Sequence, residues 1–180
     1  MSENELTNPI LAMLFVATDP VTLAELQEVY PETPREELRG IVDRATAYFN
    51  SLQMAVEIRQ IGGGYRMSTR PEYHEDIRTY LQTKPSAKLS LAALETLAVI
   101  AYKQPVTIPE IMEIRGVNSG STIRTLLEKR LIETRGRRKV VGRPIMYGTT
   151  KNFEIHFGLN NLSELPTLEE LEEVLSPAVD

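Results

Sequence analysis

The spacing of apolar residues changes twice along the first eighty positions. Ile10–Ala17 is an apolar stretch that predicts a helix over about Asn8–Ala17, with Pro9 in its first turn, where a missing N–H costs nothing. Thr22 with Glu25 is a capping box and predicts a second helix ending near Tyr30-Pro31. Thr33-Pro34-Arg35-Glu36 starts a third, with Thr as cap and Pro at the first helical position; Leu38, Ile41, Val42, Ala45 and Phe49 form its stripe. The period then shortens. Met54–Ile61 alternates as a strand does, Gly62-Gly63-Gly64 turns the chain, and Tyr65–Ser68 runs back. A short helix over about Glu72–Leu81 follows.

The same order returns after a polar, Pro-broken stretch at Gln82–Lys88. Ser90 caps a helix rich in Ala, Leu, Val and Ile that stops at Gln104, because Pro105 disfavours helix in the residue before it. Thr107 caps the next, ending near Gly116; Asn118 or Ser119 caps a third, with Ile123, Leu126 and Leu127 facing inward. Leu131–Thr134 reads as a strand, Arg135–Lys139 as a turn region, Pro144–Gly148 as the returning strand and Lys151–Phe157 as a closing helix. The copies are tied by sequence as well: Pro20-Val21-Thr22-Leu23-Ala24-Glu25-Leu26 recurs as Pro105-Val106-Thr107-Ile108-Pro109-Glu110-Ile111. Helix, helix, helix, hairpin is the winged-helix pattern. The expected fold is α+β, mostly helical, with two tandem winged-helix domains at 1–82 and 89–160 and a linker at 83–88. Residues 161–180 form an acidic amphipathic tail, with Leu168, Leu171 and Leu175 on one helical face.

Charge separates the copies. Residues 1–82 carry 7 basic and 13 acidic side chains, residues 83–160 carry 13 and 6, and residues 161–180 carry none and 6. The whole-chain net charge of −5 therefore hides a basic second module between acidic neighbours. Such a module suits phosphate, an acidic partner segment or the chain's own tail. No apolar run approaches the roughly 18 residues of a spanning helix, and the acidic start Met1–Glu5 argues against a signal peptide. The absence of Cys excludes disulfides and fits a cytosolic protein.

Little in the chain suggests catalysis. The carboxylates lie in caps, on helix surfaces and in the tail, and no Ser-His-Asp set is suggested by position. His74 and His156 have neither Cys nor a second His at ligand spacing, so no metal or cofactor is expected. The three glycines are followed by a strand and not by a Lys-Ser/Thr helix start, which makes them a hairpin turn and not a phosphate loop. Nucleic-acid binding is the other candidate class. The third helix of the second module offers Arg124, and its wing offers Arg137, Arg138 and Lys139 as phosphate contacts. Against this, the first module's third helix carries Glu36, Glu37 and Asp43, which a phosphate backbone repels.

The run Ala101-Tyr102-Lys103-Gln104-Pro105, then Glu113-Ile114-Arg115-Gly116-Val117-Asn118-Ser119, Gly142-Arg143-Pro144, Tyr147-Gly148-Thr149-Thr150 and Phe157-Gly158-Leu159 resembles the segregation and condensation protein B family; the likeness covers about residues 8–175. The resemblance implies two winged-helix domains without enzymatic activity. It implies a homodimer, paired through the N-terminal domains, that binds the middle region of a kleisin, segregation and condensation protein A. It also implies a link through the kleisin to an SMC ATPase, a role in chromosome condensation and partition during cell division, and a cytoplasmic, nucleoid-associated place without membrane contact. DNA would be met indirectly or weakly. The alternative is a DNA-binding regulator that uses the basic second domain.

Two surfaces follow as expectations. Met13-Leu14-Phe15-Val16 is more consecutive apolar surface than one helix face buries, so Leu11, Leu14 and Phe15 are candidates for self-pairing. Tyr102, Lys103, Arg143 and Tyr147, with Gln104, are candidates for a kleisin-facing surface. The other reading of these residues is that they fix the wing to the helical core.

Overall fold

The computed structural model describes residues 3–81, 89–167 and 170. The expected linker at 83–88 and the tail helix of Leu168, Leu171 and Leu175 lie outside them. The structure is α+β and mostly helical.

In the first half, α1 (Glu3–Val16), α2 (Leu23–Val29) and α3 (Arg35–Ser51) are followed by an antiparallel hairpin of β1 (Val56–Ile61) and β2 (Gly64–Thr69). A 3-10 turn at Pro71–Tyr73 then leads into α4 (His74–Tyr80). Helix α1 begins before the expected Asn8, which places Pro9 inside the helix and not in its first turn. The reason is Leu6: with Ile10 and Leu14 it forms a four-residue-spaced row that is wholly buried, and that burial offsets the cost of an interior proline. At α3 the cap position is Pro34, with no side-chain cap, and not Thr33. The core of this half joins Leu6, Ile10, Leu14, Leu26, Leu38, Ile41, Val42, Ile58 and Tyr65. Two polar side chains tie hairpin to helix. Asn50 of α3 both donates to and accepts from the backbone of Ile58, at 2.9 and 2.8 Å, and the Tyr65 hydroxyl donates to Asp43 at 2.7 Å.

The second half repeats this plan with α5 (Leu91–Lys103), α6 (Ile108–Arg115), α7 (Gly120–Glu128), the strands β4 (Ile132–Arg137) and β5 (Ile145–Thr149), and α8 (Lys151–Phe157). Ser90 caps α5 through the Ala93 N–H. Ser119 occupies the cap position of α7, while the Asn118 side chain accepts the Gly120 N–H at 2.9 Å. Strand β4 runs through the expected turn region to Arg137. It does so by a bulge between Thr134 and Arg137, where Gly136 sits at φ +91°. The reversal is therefore the loop 138–144. A separate core joins Ala93, Leu97, Ile100, Val106, Ile111, Ile123, Leu126, Leu131, Ile132, Tyr147 and Phe153.

The repeated heptapeptide does more than start a helix. Its Val-Thr pair in the second copy is a short strand, β3 (Val106–Thr107), antiparallel to β5 with Val106 opposite Tyr147. In the first copy Val21 makes an isolated antiparallel bridge to Tyr65, with both backbone bonds at 2.8 Å. A Val-Tyr pair thus joins the start of the second helix to the returning strand in each copy.

Candidate functional site

The motif residues of the second half converge where the end of α5 meets β5. Gln104, at the C-cap of α5, reaches across to Thr149: its Oε1 accepts the Thr149 N–H at 2.7 Å, and its Nε2 donates to Thr149 Oγ1 at 3.0 Å and to the Ala101 carbonyl at 3.2 Å. Gly148 lies beneath this crossing. A Cβ there would stand 2.8 Å from Gln104 Oε1 and 3.0 Å from Arg135 Cγ. Arg135 also donates to the Thr149 carbonyl at 2.9 Å and pairs with Glu133 at 3.0 Å. Tyr147 is buried, 6% exposed, opposite Val106. These residues therefore clamp the hairpin to the helices. For Tyr147 this favours the second of the two readings, that it fixes the wing to the helical core.

A second network fixes α6 against α5. Arg115 donates to Thr96 Oγ1 at 2.5 Å and to the Ala92 carbonyl at 3.0 Å, and pairs with Glu95. Thr96 is fully buried and bonds back to Ala92 at 2.8 Å. The sequence reading gave Arg115 no role. The signal was present, a lone Arg in the last turn of an amphipathic helix ahead of Gly116, whose φ is +68°.

The two capping boxes form with different surroundings. Glu25 accepts the Thr22 N–H at 2.7 Å, and the Glu25 N–H donates to the Thr22 hydroxyl at 3.2 Å. Glu110 accepts the Thr107 hydroxyl at 2.7 Å and the Thr107 N–H at 2.8 Å, and takes Arg138 as well at 3.1 Å. These bonds hold both carboxyls below the usual range: for Glu25 the backbone bond to Thr22 weighs most, for Glu110 the hydroxyl bond to Thr107. Thr167 and Glu170 repeat the reciprocal arrangement at the start of the tail, at 2.7 and 3.2 Å.

The candidate surface residues separate into buried and exposed. In α1, Leu14 is buried and Leu11 packs partly against the core, while Phe15 is 77% and Val16 75% exposed. Leu14 is thus a core residue, and Phe15 keeps the surface position. At the other corner Lys103 is exposed, and the Tyr102 hydroxyl donates to the carbonyl of Pro166 at 2.7 Å. Leu159, Leu162 and Leu165 pack on the same core, so the first part of the expected tail is a strap across the second half. Arg143 is exposed in a turn that its N–H closes to the Val140 carbonyl at 2.9 Å. Its φ of +42° is left-handed and not the extended form that a following proline favours. The tip of this loop presents Val140 and Val141 to solvent.

Of the candidate phosphate contacts, Arg124 pairs with Glu128 at 2.9 Å and Arg138 turns inward to Glu110 and to the Pro105 carbonyl. Arg137 donates to the Arg143 carbonyl at 3.0 Å, and Lys139 is exposed. The four do not form one face of free cations. Among the described residues no group of three or more His, Cys, Asp or Glu side chains is placed to hold a metal ion. No helix among them is long and apolar enough to cross a membrane. A cleft of about 520 Å³ is lined by Arg35, Arg39, Asp43, Gln60, Tyr65 and Lys151 among others. Its Tyr65 hydroxyl is the one that donates to Asp43 at 2.7 Å.

Comparison with known proteins agrees with a scaffold of this kind. A family model described as "Segregation and condensation complex subunit ScpB" matches residues 8–168. A segregation and condensation protein B of Alkaliphilus oremlandii is 41% identical over 170 residues, 94% of this chain and 91% of its own. That of Desulforamulus reducens is 44% identical over 159 residues, 88% of this chain and 87% of its own. The crystal structure of ScpB from Mycobacterium tuberculosis is 31% identical and covers 88% of this chain and 98% of that one, with a TM-score of 0.42. The span of the family model and the identity to full-length relatives carry the conclusion: this chain belongs to the segregation and condensation protein B family, non-enzymatic accessory subunits of SMC–kleisin complexes in chromosome segregation and condensation.

Proposed function

We propose that the chain is a homodimeric adaptor that binds the middle region of the kleisin, segregation and condensation protein A, and through it reaches the SMC ATPase. Each helix–helix–helix–hairpin unit is a winged-helix domain, the first over residues 1–82, the second over 89–160, joined by a linker at 83–88 and followed by the tail 161–180. The observation that carries this reading is that the two units share one plan and have separate cores but leave different apolar residues in water. Among these are Phe15 and Val16 at the end of α1, and Val140 and Val141 at the tip of the second hairpin. The first pair forms the centre of a two-fold self-contact. The second, with Arg143 in the same turn and the exposed Lys103 of α5, receives an extended kleisin segment, which needs apolar footholds and charged margins from a rigid partner. The protein works in the cytoplasm at the nucleoid.

Co-purification with the kleisin tests this. Val141→Asp and Arg143→Ala, both on an exposed loop, are expected to weaken capture of the kleisin while leaving the melting temperature unchanged. Full capture by both folded variants overturns the assignment of the second hairpin.

The DNA-binding alternative has one observation in its favour, the excess of basic residues in 83–160. The inward turn of Arg138 and the pairing of Arg124 reduce the charge available to phosphates. We place DNA contact, where it occurs, as weak and secondary to the kleisin.

A further inference from the structure

Neither the fold of the first hairpin nor the kleisin reading requires the backbone contact made by its tip. Ile61 pairs with Gly64, so Gly62 and Gly63 are a two-residue turn with φ +59° and +72°, the left-handed pair of a type I′ hairpin. In a free hairpin the amides of such a turn face water. Here both are spent on the other half of the chain. The Gly62 N–H donates to the Leu159 carbonyl at 2.9 Å, and the Gly63 N–H donates to Asn160 Oδ1 at 3.0 Å. Asn160 is itself steadied, its N–H donating to Glu164 at 2.8 Å. A Cβ at position 62 would lie 2.9 Å from Ile155 Cγ1, and one at position 63 would lie 3.5 Å from Lys151 Nζ. Gly64 answers to its own half: a Cβ there would stand 2.9 Å from the Val21 carbonyl.

The residue choice separates turn from contact. A type I′ turn is best served by Asn-Gly, and Asn tolerates the left-handed region that position 62 adopts. The structure has Gly at 62, where any side chain would collide with Ile155. We infer that the Gly62-Gly63 tip is an intramolecular docking element that seats the first unit on the segment after α8 and holds the two units as one rigid body. The tip of the first hairpin is then closed to nucleic acid and to partners. The kleisin-facing loop 138–144 is held at a set direction from Phe15 and Val16.

The chain contains no Cys, so paired spin labels can be placed at the exposed positions of Glu28→Cys and Glu113→Cys in the full chain, diluted with unlabelled protein to suppress contacts between copies. One narrow distance distribution is expected. Gly62→Asn keeps a favourable hairpin turn but collides with Ile155; Ile155→Asp with Asn160→Ala attacks the same contact from the other side. Loss of the narrow peak in either variant, with the far-UV circular dichroism unchanged, supports the inference. A broad distribution in the parent chain, or an unchanged narrow one in both variants, overturns it.

Discussion

Gly148→Ala tests the clamp between α5 and β5. The glycine has no positive φ, so the backbone accepts alanine. The obstacle is the new methyl group, 2.8 Å from Gln104 Oε1, 3.0 Å from Arg135 Cγ and 3.1 Å from Arg135 Nε. Gln104 must move, and its movement breaks the 2.7 Å bond from the Thr149 N–H at a residue only 3% exposed. An unsatisfied buried donor costs about 1–3 kcal/mol, so a loss of about 2 kcal/mol is expected. For a unit of this size that corresponds to a fall of roughly 8–16 °C in the melting temperature. Circular dichroism melts of the parent, Gly148→Ala, Gln104→Ala and the double variant complete the measurement. Gln104→Ala alone loses the same bond. With Gln104 shortened the nearest obstacle is gone and only the long Arg135 side chain has to give way, so Gly148→Ala on that background should cost less than about 1 kcal/mol. Equal costs on both backgrounds, or a single-variant loss under about 0.5 kcal/mol, refute the reasoning.

Leu14→Ala and Phe15→Asp should behave oppositely. The buried Leu14 should cost about 3 kcal/mol in urea unfolding, whereas the exposed Phe15 should leave stability unchanged and lower the mass seen by light scattering. A dimer of unaltered affinity in Phe15→Asp removes α1 from the self-contact. Burial and the bond to Asp43 push the Tyr65 hydroxyl up to about 12 from 10.0. Because the folded state holds this proton more tightly, its stabilising contribution is complete below pH 10 and declines as pH rises toward 12. A stability–pH curve for Tyr65→Phe should be flatter there. The carboxyls of Glu25 and Glu110 are shifted the other way, below 4.5. Their caps contribute fully above about pH 4.5 and lose their effect as acid protonates the folded state. Glu110→Gln should flatten the acid limb of the curve, and an unchanged limb contradicts the capping account.

The helices and hairpins were legible because their signals are local. Thr-x-x-Glu, a terminal Gly and the shift from four-residue spacing to alternation are each read within one turn of chain. What could not be read depends on distant residues. Leu6 carries α1 back across Pro9 only because a core waits for it. Val106 becomes a strand only because Tyr147 lies beside it. Gly136 lets β4 continue past a point where composition suggests a turn. The surroundings of the candidate site residues were hidden in the same way. Tyr102, Arg138 and Tyr147 look like surface chemistry in a list of residues, yet each is held by its own chain: by Pro166, by Glu110 and by the core. Charge along the sequence records how many cations a module has, not how many remain unpaired after folding.

The central proposal is a homodimer that holds a flexible kleisin segment. Light-scattering mass of the full chain co-purified with segregation and condensation protein A tests it most directly. The account predicts a stable assembly that contains two copies of this chain together with the kleisin, and a dimer when the chain is alone. A monomer that elutes apart from the kleisin at micromolar concentration contradicts it.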